Sequence, residues 1–99
     1  MIKLIEVYRE KQLGASNIFN MREVYINPAH VVCMYDDPSM VKNLNEGYLP
    51  DDMDKRQPFT RLRLNQGQSL YQITVVGSMG TISEKLGLGA LDKRQILHD

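Results

Sequence analysis

The chain has 99 residues, with twelve basic and twelve acidic side chains, a formal net charge of zero, two histidines and one cysteine. That length fits one domain, 1–99, with a modest core, because a chain of this size buries only about two thirds of its unfolded surface. Neutrality disfavours a nucleic-acid reader, which needs a basic stripe; the lone cysteine rules out an internal disulfide; and no uncharged apolar run approaches the ~20 residues of a membrane helix.

The opening segment, "MIKLIEVYRE", has Lys3 and Glu6 where a secretion signal would be apolar, so it reads as mature structure and a cytoplasmic location is expected. "IKLIEVYR" is rich in β-branched and aromatic residues and predicts the first strand, with apolar side chains in both phases: Ile2 and Leu4 on one side, Ile5 and Val7 on the other. A strand apolar on both faces needs cover on both. "LGASNIFN" reads as a turn or wide hairpin, and "REVYIN" as a second strand. In "INPAH", Asn27 can cap a single helical turn, and Pro28 at its first position has no donor to lose. His30 falls on that turn, where a surface role is expected. "VVCMY" resumes as a third strand, and its cysteine, Cys33, is expected to be a buried structural thiol.

Residues 36–58 read as a long acidic loop. Between 36 and 54 there are six acids against the single Lys42, with Pro38, Gly47 and Pro50 and no sustained period of 2 or 3.6. Met40, Val41, Leu44, Tyr48 and Leu49 are expected to fold back on the core or on a second subunit. The acids lack the register of a calcium-binding loop, so no metal site is expected.

"PFTRLRLNQGQSLYQITVVG" is the best-defined element, a hairpin. With Gln66-Gly67 as its two-residue turn, Leu62, Leu64, Tyr71, Ile73 and Val75 face the core, and Arg61, Arg63, Gln72 and Thr74 form an open polar face. "GSMGTISEKLGLG" then changes to helical period: Ser78 or Thr81 caps, Ile82 and Leu86 share a face, and Gly87 or Gly89 stops the helix. Residues 88–99 predict a second, partly helical C-terminal tail in which Leu91, Ile96 and Leu97 seek an apolar partner. "DKRQ" occurs at 54–57 and again at 92–95. The first precedes Pro58, which disfavours helix at Gln57, while the second lies in the tail, so the match is a coincidence and no duplication follows. The expected fold is α+β, a small antiparallel sheet of about five strands with one or two short C-terminal helices.

"MIKLIEV", "VYINPAHVVCM", "FTRLRLNQGQSLYQITV" and "GTISEKL", taken in order, resemble the small flagellar FlbD-type proteins, many of them bacteriophage-encoded. Those share the opening strand, the N-P-x-H turn, the strand-turn-strand and the closing helix. The resemblance implies a phage or bacterial accessory protein, acting in the host cytoplasm if phage-encoded, and brings no catalytic residues with it.

The residues themselves contain no nucleophile and base at catalytic spacing, no phosphate loop and no zinc-ligand cluster. A non-enzymatic protein without cofactor is therefore expected. Arg61, Arg63, Arg56 and Lys55 are too few for a duplex groove but suit one compact anion such as a nucleotide, since guanidinium groups fork onto phosphate, and Gln72 and Thr74 share the face of the strand arginines. The competing reading for the two strand arginines is a solvated face paired with the acidic loop. These readings combine into a self-associating binding module that occupies a host protein or sequesters a small anionic ligand. The alternative is a small transcriptional or translational regulator that contacts nucleic acid.

Overall fold

The computed structural model describes residues 1–10 and 18–87. Five strands form one antiparallel sheet: β1 (Ile2–Arg9), β2 (Phe19–Ile26), β3 (Val31–Asp36), β4 (Phe59–Gln66) and β5 (Ser69–Val76), in the order β2-β1-β5-β4-β3. Two helices accompany them, α1 (Pro38–Asn45) and α2 (Met79–Leu86). The five strands stand where the sequence puts them, except that β2 begins at Phe19, so Phe19 and Asn20, expected in a turn, belong to the strand. One helix departs further. The expected acidic loop contains α1, so the helices are not both C-terminal, and α1 lies between β3 and β4.

Local chemistry accounts for each element. Asn27 accepts from the N–H of Ala29 at 3.0 Å, with Pro28 opening the single 3-10 turn to His30. Asp37 and Pro38 repeat that device, and the Asp37 carboxylate accepts from the N–H of Met40 at 3.2 Å to start α1. Met40 and Leu44, four apart, are the buried face of α1. Ser78 caps α2, and Gly87 ends it at φ +79, a left-handed conformation that costs glycine little.

The β4–β5 turn is Gly67-Gln68, not Gln66-Gly67. Gly67 has φ +66 and no other residue type takes a positive φ among the described residues, the sign pattern of a type II′ turn with glycine first. Gln66 thus pairs with Ser69, Leu64 with Tyr71, Leu62 with Ile73 and Arg61 with Thr74. Each β4 residue meets a partner two places further along β5 than the expected turn allows. A shift of two preserves which side chains share a face, so the expected faces survive. Tyr71 is on the inner face yet 42% exposed, because it stands next to the turn, beyond the core.

The sheet cannot be flat. In a flat sheet the Glu6–Val75 register carries Ile26 to the level of residue 79, whereas Val31, through Leu64, sits at the level of Tyr71. Those levels are about 26 Å apart along the strands, before about four strand spacings are crossed, and the five steps from Ile26 to Val31 span at most about 18 Å. The β1–β2 ribbon therefore folds back over the β3–β4–β5 meander, meeting β5 through two residue pairs. Leu4 and Ile26 of the ribbon consequently share a core with Leu62, Leu64 and Val75 of the meander, closed by Ile82 and Leu86 of α2.

A second cluster lies on the outer side of the joint, where Val7 meets Phe59, Met40, Leu44 and Leu49. Leu4 of one phase of β1 and Val7 of the other are buried in these two clusters, within one chain, while Ile5 belongs to neither and is half-buried. The cover that the sequence seemed to need from a neighbour comes from α1 and the segment after it. Burial of each large side chain is worth about 1.5–3 kcal/mol, so neither cluster is minor. The expected helical tail, with Leu91, Ile96 and Leu97, lies outside the described residues, as do most of the expected turn after β1 and the second "DKRQ".

Candidate functional site

Alternation along β4 sends Leu62 and Leu64 inward and Arg61 and Arg63 outward. Across the outer face Arg61 lies between Tyr35 and Thr74, and Arg63 between Cys33 and Gln72. The two arginines have different surroundings. Where β3 ends, the Asp37 N–H donates to the Phe59 carbonyl at 3.1 Å, and the Asp37 side chain, 1% exposed, is directed under the start of α1. Its Oδ1 accepts from Ser39 Oγ at 2.6 Å, from the Met40 N–H and from Arg61 Nη2 at 3.2 Å. Its Oδ2 accepts from Thr74 Oγ1 at 2.6 Å and from the same Arg61 nitrogen at 3.1 Å. A carboxylate has about four lone-pair sites, so this one is saturated. Burial acts against its charge, but the bonds from Ser39, Thr74 and Met40 and the charge of Arg61 outweigh burial and hold the Asp37 carboxyl below its ordinary range.

Asp37 thus fastens three elements at one point: α1 through its cap, β4 through Arg61 and β5 through Thr74. Arg61 Nη2 also reaches Ser39 Oγ at 3.3 Å, while its Nε and Nη1 have no hydrogen bond among the described residues. The Arg61 side chain is a third exposed and lines a cleft of about 340 Å³ at the joint between β1 and β5. Val7, Phe19 and Met40 supply the cleft's apolar wall, and Arg9, Arg61 and Gln72 supply polar groups. Arg9 ends β1 and is exposed, with no side-chain hydrogen bond or ion pair among the described residues. Glu6, on the rim, is bound to Arg22 Nε at 3.0 Å, and that arginine in turn stacks over the Tyr8 ring with its centroid at 4.3 Å.

Of the residues expected to hold an anion, Arg61, Gln72 and Thr74 line this cleft. Thr74 is already committed to Asp37, and Gln72 accepts from the Tyr35 hydroxyl at 3.2 Å. Arg63 is exposed on the same face and is not part of the cleft wall. Arg56 lies in the turn after α1 and pairs with Asp54, with its N–H at 2.9 Å and its Nη2 at 3.4 Å. Sequence reasoning missed two residues, Arg9 and Asp37. Asp37 had a signal, since an aspartate before a proline is the same cap that Asn27 and Pro28 spell.

Cys33 corrects another expectation. It is exposed, because a bulge between Val31 and Cys33 shifts the alternation of β3 and turns the thiol to the outer face. His30 is exposed on its turn, as expected. Among the described residues no three His, Cys, Asp or Glu side chains are grouped to hold a metal, and no helix is long and apolar enough to cross a membrane. The chain matches no protein-family model, no curated protein and no solved structure.

Proposed function

We propose that the protein is a non-enzymatic binding module that takes a small anionic ligand in the cleft at the β1–β5 joint. The observation that carries this reading is Arg61: a buried carboxylate fixes one guanidinium nitrogen, the other two have no hydrogen bond among the described residues, and the side chain lines a cleft that also has Arg9 on its wall. Guanidinium groups held in place lose less freedom when they bind an anion than mobile ones do. Cleft size agrees, since small-molecule sites start at about 300 Å³. The resemblance to the FlbD-type proteins rests on sequence pattern and names no ligand. Titration with benzoate, followed by amide chemical shifts, is the test. Arg9→Ala and Arg61→Lys are expected to weaken binding at least about fivefold and Arg63→Ala to leave it within about twofold, on the scale of one charge-assisted hydrogen bond. Equal loss from all three changes would count against the cleft.

A second reading, self-association, is favoured by the β3 edge. Residues 31–35, "VVCMY", carry no charge, and Val32 and Tyr35 are 57% and 39% exposed. The opposite edge, β2, has Arg22 and Glu23 in its middle. Charges of that kind protect an edge, and an uncharged strand can pair with its own copy without setting like charges face to face. Light scattering at micromolar concentration is expected to give a mass above 11.4 kDa that Val32→Lys returns to that of the single chain; a monomeric parent protein would remove this reading.

A further inference from the structure

β1 and β5 stay in register for two residue pairs, Glu6 with Val75 and Val7 with Thr74, and then separate. Continued register would set Arg9 against Gln72. On its other side β5 is paired with β4 from Ser69 to Val76. Because Gly67-Gln68 is a two-residue turn, Gln66 and Ser69 form a hydrogen-bonded pair. Alternation then directs the N–H and C=O groups of Leu70 and Gln72 away from β4, toward the side that β1 has left. Among the described residues no strand pairs with them there, and no turn or loop backbone bonds to them. The first half of β5 is thus a further open edge, inside the strand order of the sheet. Its residues 69–72, "SLYQ", carry no charge, and Leu70 and Tyr71 are 58% and 42% exposed. An uncharged edge with free backbone groups is a template for an added strand.

Resting on the reading of the cleft as an anion site, we propose that its anion is the aspartate or glutamate side chain of an extended peptide that pairs antiparallel with β5 at Leu70 and Gln72. Antiparallel pairing keeps the direction of β1 and is the more stable arrangement per residue. The peptide residue opposite Gln72 makes both ladder bonds to it and sends its side chain to the outer face. That is the face of Arg9 in β1 and of Arg61 and Arg63 in β4. The nearby acids leave the place open. Asp37 is 1% exposed and bound to Arg61, and Glu6 and Glu10 both belong to the opposite phase of β1, where Glu6 binds Arg22 and Glu10 binds Asn20. The next peptide residue falls beside Tyr71 on the inner face, and the one after it beside Leu70 on the outer face, so both are apolar. The recognised pattern is an acid followed by two apolar residues.

The probe is the peptide acetyl-Thr-Glu-Val-Val-Thr-amide, followed by amide hydrogen exchange on the full chain. The expected signature alternates. The N–H groups of Leu70 and Gln72 exchange fast in the free protein and slow at least about fivefold near peptide saturation, while those of Ser69, Tyr71 and Ile73, already bonded to β4, change by less than about twofold. Replacing the peptide's glutamate by glutamine removes the charge, and N-methylating the glutamate nitrogen removes a ladder bond. Each is expected to weaken binding at least about fivefold. Benzoate binding without peptide protection of Leu70 and Gln72 would overturn the peptide and leave the anion site standing, as would protection confined to residues 31–35 of β3. A glutamine peptide that binds as tightly as the glutamate peptide would overturn the acidic pattern. Slow exchange of Leu70 and Gln72 in the free protein would show the edge already occupied, by another part of the chain or a second copy, and would overturn the proposal as well. Binding of neither benzoate nor the peptide would overturn both readings.

Discussion

The outer face of the β3–β4–β5 meander has two ends built from the same strands with the same alternation. At one end Arg61 and Thr74 close on a buried carboxylate under α1, above Phe59 and Val76. At the other, Arg63, Leu70 and Cys33 stand open, with Leu70 58% exposed. One residue, Leu62, separates the arginines in sequence, and both lie in the same strand. What separates their chemistry is the loop-to-helix corner that delivers Asp37 to one of them. A strand can offer a guanidinium to a face, but a second element has to fix it there before the position differs from any solvated arginine.

That contrast is easiest to break through packing. Phe59→Ala, under α1, is expected to cost about 3–5 kcal/mol in urea denaturation, and Leu70→Ala, on the bare end, no more than about 0.5 kcal/mol. Comparable losses would mean that α1 does not bury its end of the sheet. Next in size is the corner itself. Asp37→Ala removes a helix cap and leaves Arg61 and Thr74 without their acceptor, for an expected loss of about 3 kcal/mol, whereas Asp36→Ala, on an exposed residue next door, stays within about 0.5 kcal/mol.

Acid sharpens the comparison further. The folded-state carboxyl of Asp37 ionises below its ordinary range. Its contribution is therefore fully present above the unfolded value of about 4 and disappears as pH falls through the lower folded value. Stability measured from neutral pH downward is expected to fall in that window in the parent protein and to fall less in Asp37→Asn. Parallel curves would show that other carboxyls dominate. The smallest effects separate the arginines: Arg61→Ala leaves Asp37 buried without its cation and is expected to lower stability by about 1–2 kcal/mol, and Arg63→Ala to leave the denaturation midpoint unmoved.

Sequence reasoning found the strands because runs rich in β-branched and aromatic residues, alternating clearly only in the β4–β5 hairpin, stand between turn residues; the start of β2 at Phe19 was hidden in a segment that reads as a turn. It found α2 because Ser78, Ile82, Leu86 and Gly87 spell a cap, a face and a stop within ten residues. It missed α1, although Asp37-Pro38 repeats the Asn27-Pro28 cap and Met40 and Leu44 repeat the Ile82–Leu86 spacing. Acidic composition, Gly47 and Pro50 suggested a loop, and a helix of eight residues is too short for periodicity to outweigh them. The turn shifted by one residue because glycine can serve either central position of a two-residue turn, and the faces tolerate both. Arg61, Gln72 and Thr74 were legible as face-mates. Arg9 was not, since its approach to Arg61 depends on the ribbon folding back over the meander, a long-range consequence of a short connection at 27–30. Cys33 was misread because a bulge leaves no mark in an apolar run.

Amide chemical-shift mapping of the full chain with benzoate tests the central claim most directly. The account predicts that Val7, Arg9, Phe19 and Thr74 shift together along one saturation curve while Cys33, Arg63 and Leu70 do not move. Shifts concentrated on Cys33, Arg63 and Leu70, with the β1–β5 joint silent, would place binding on the bare end and contradict it.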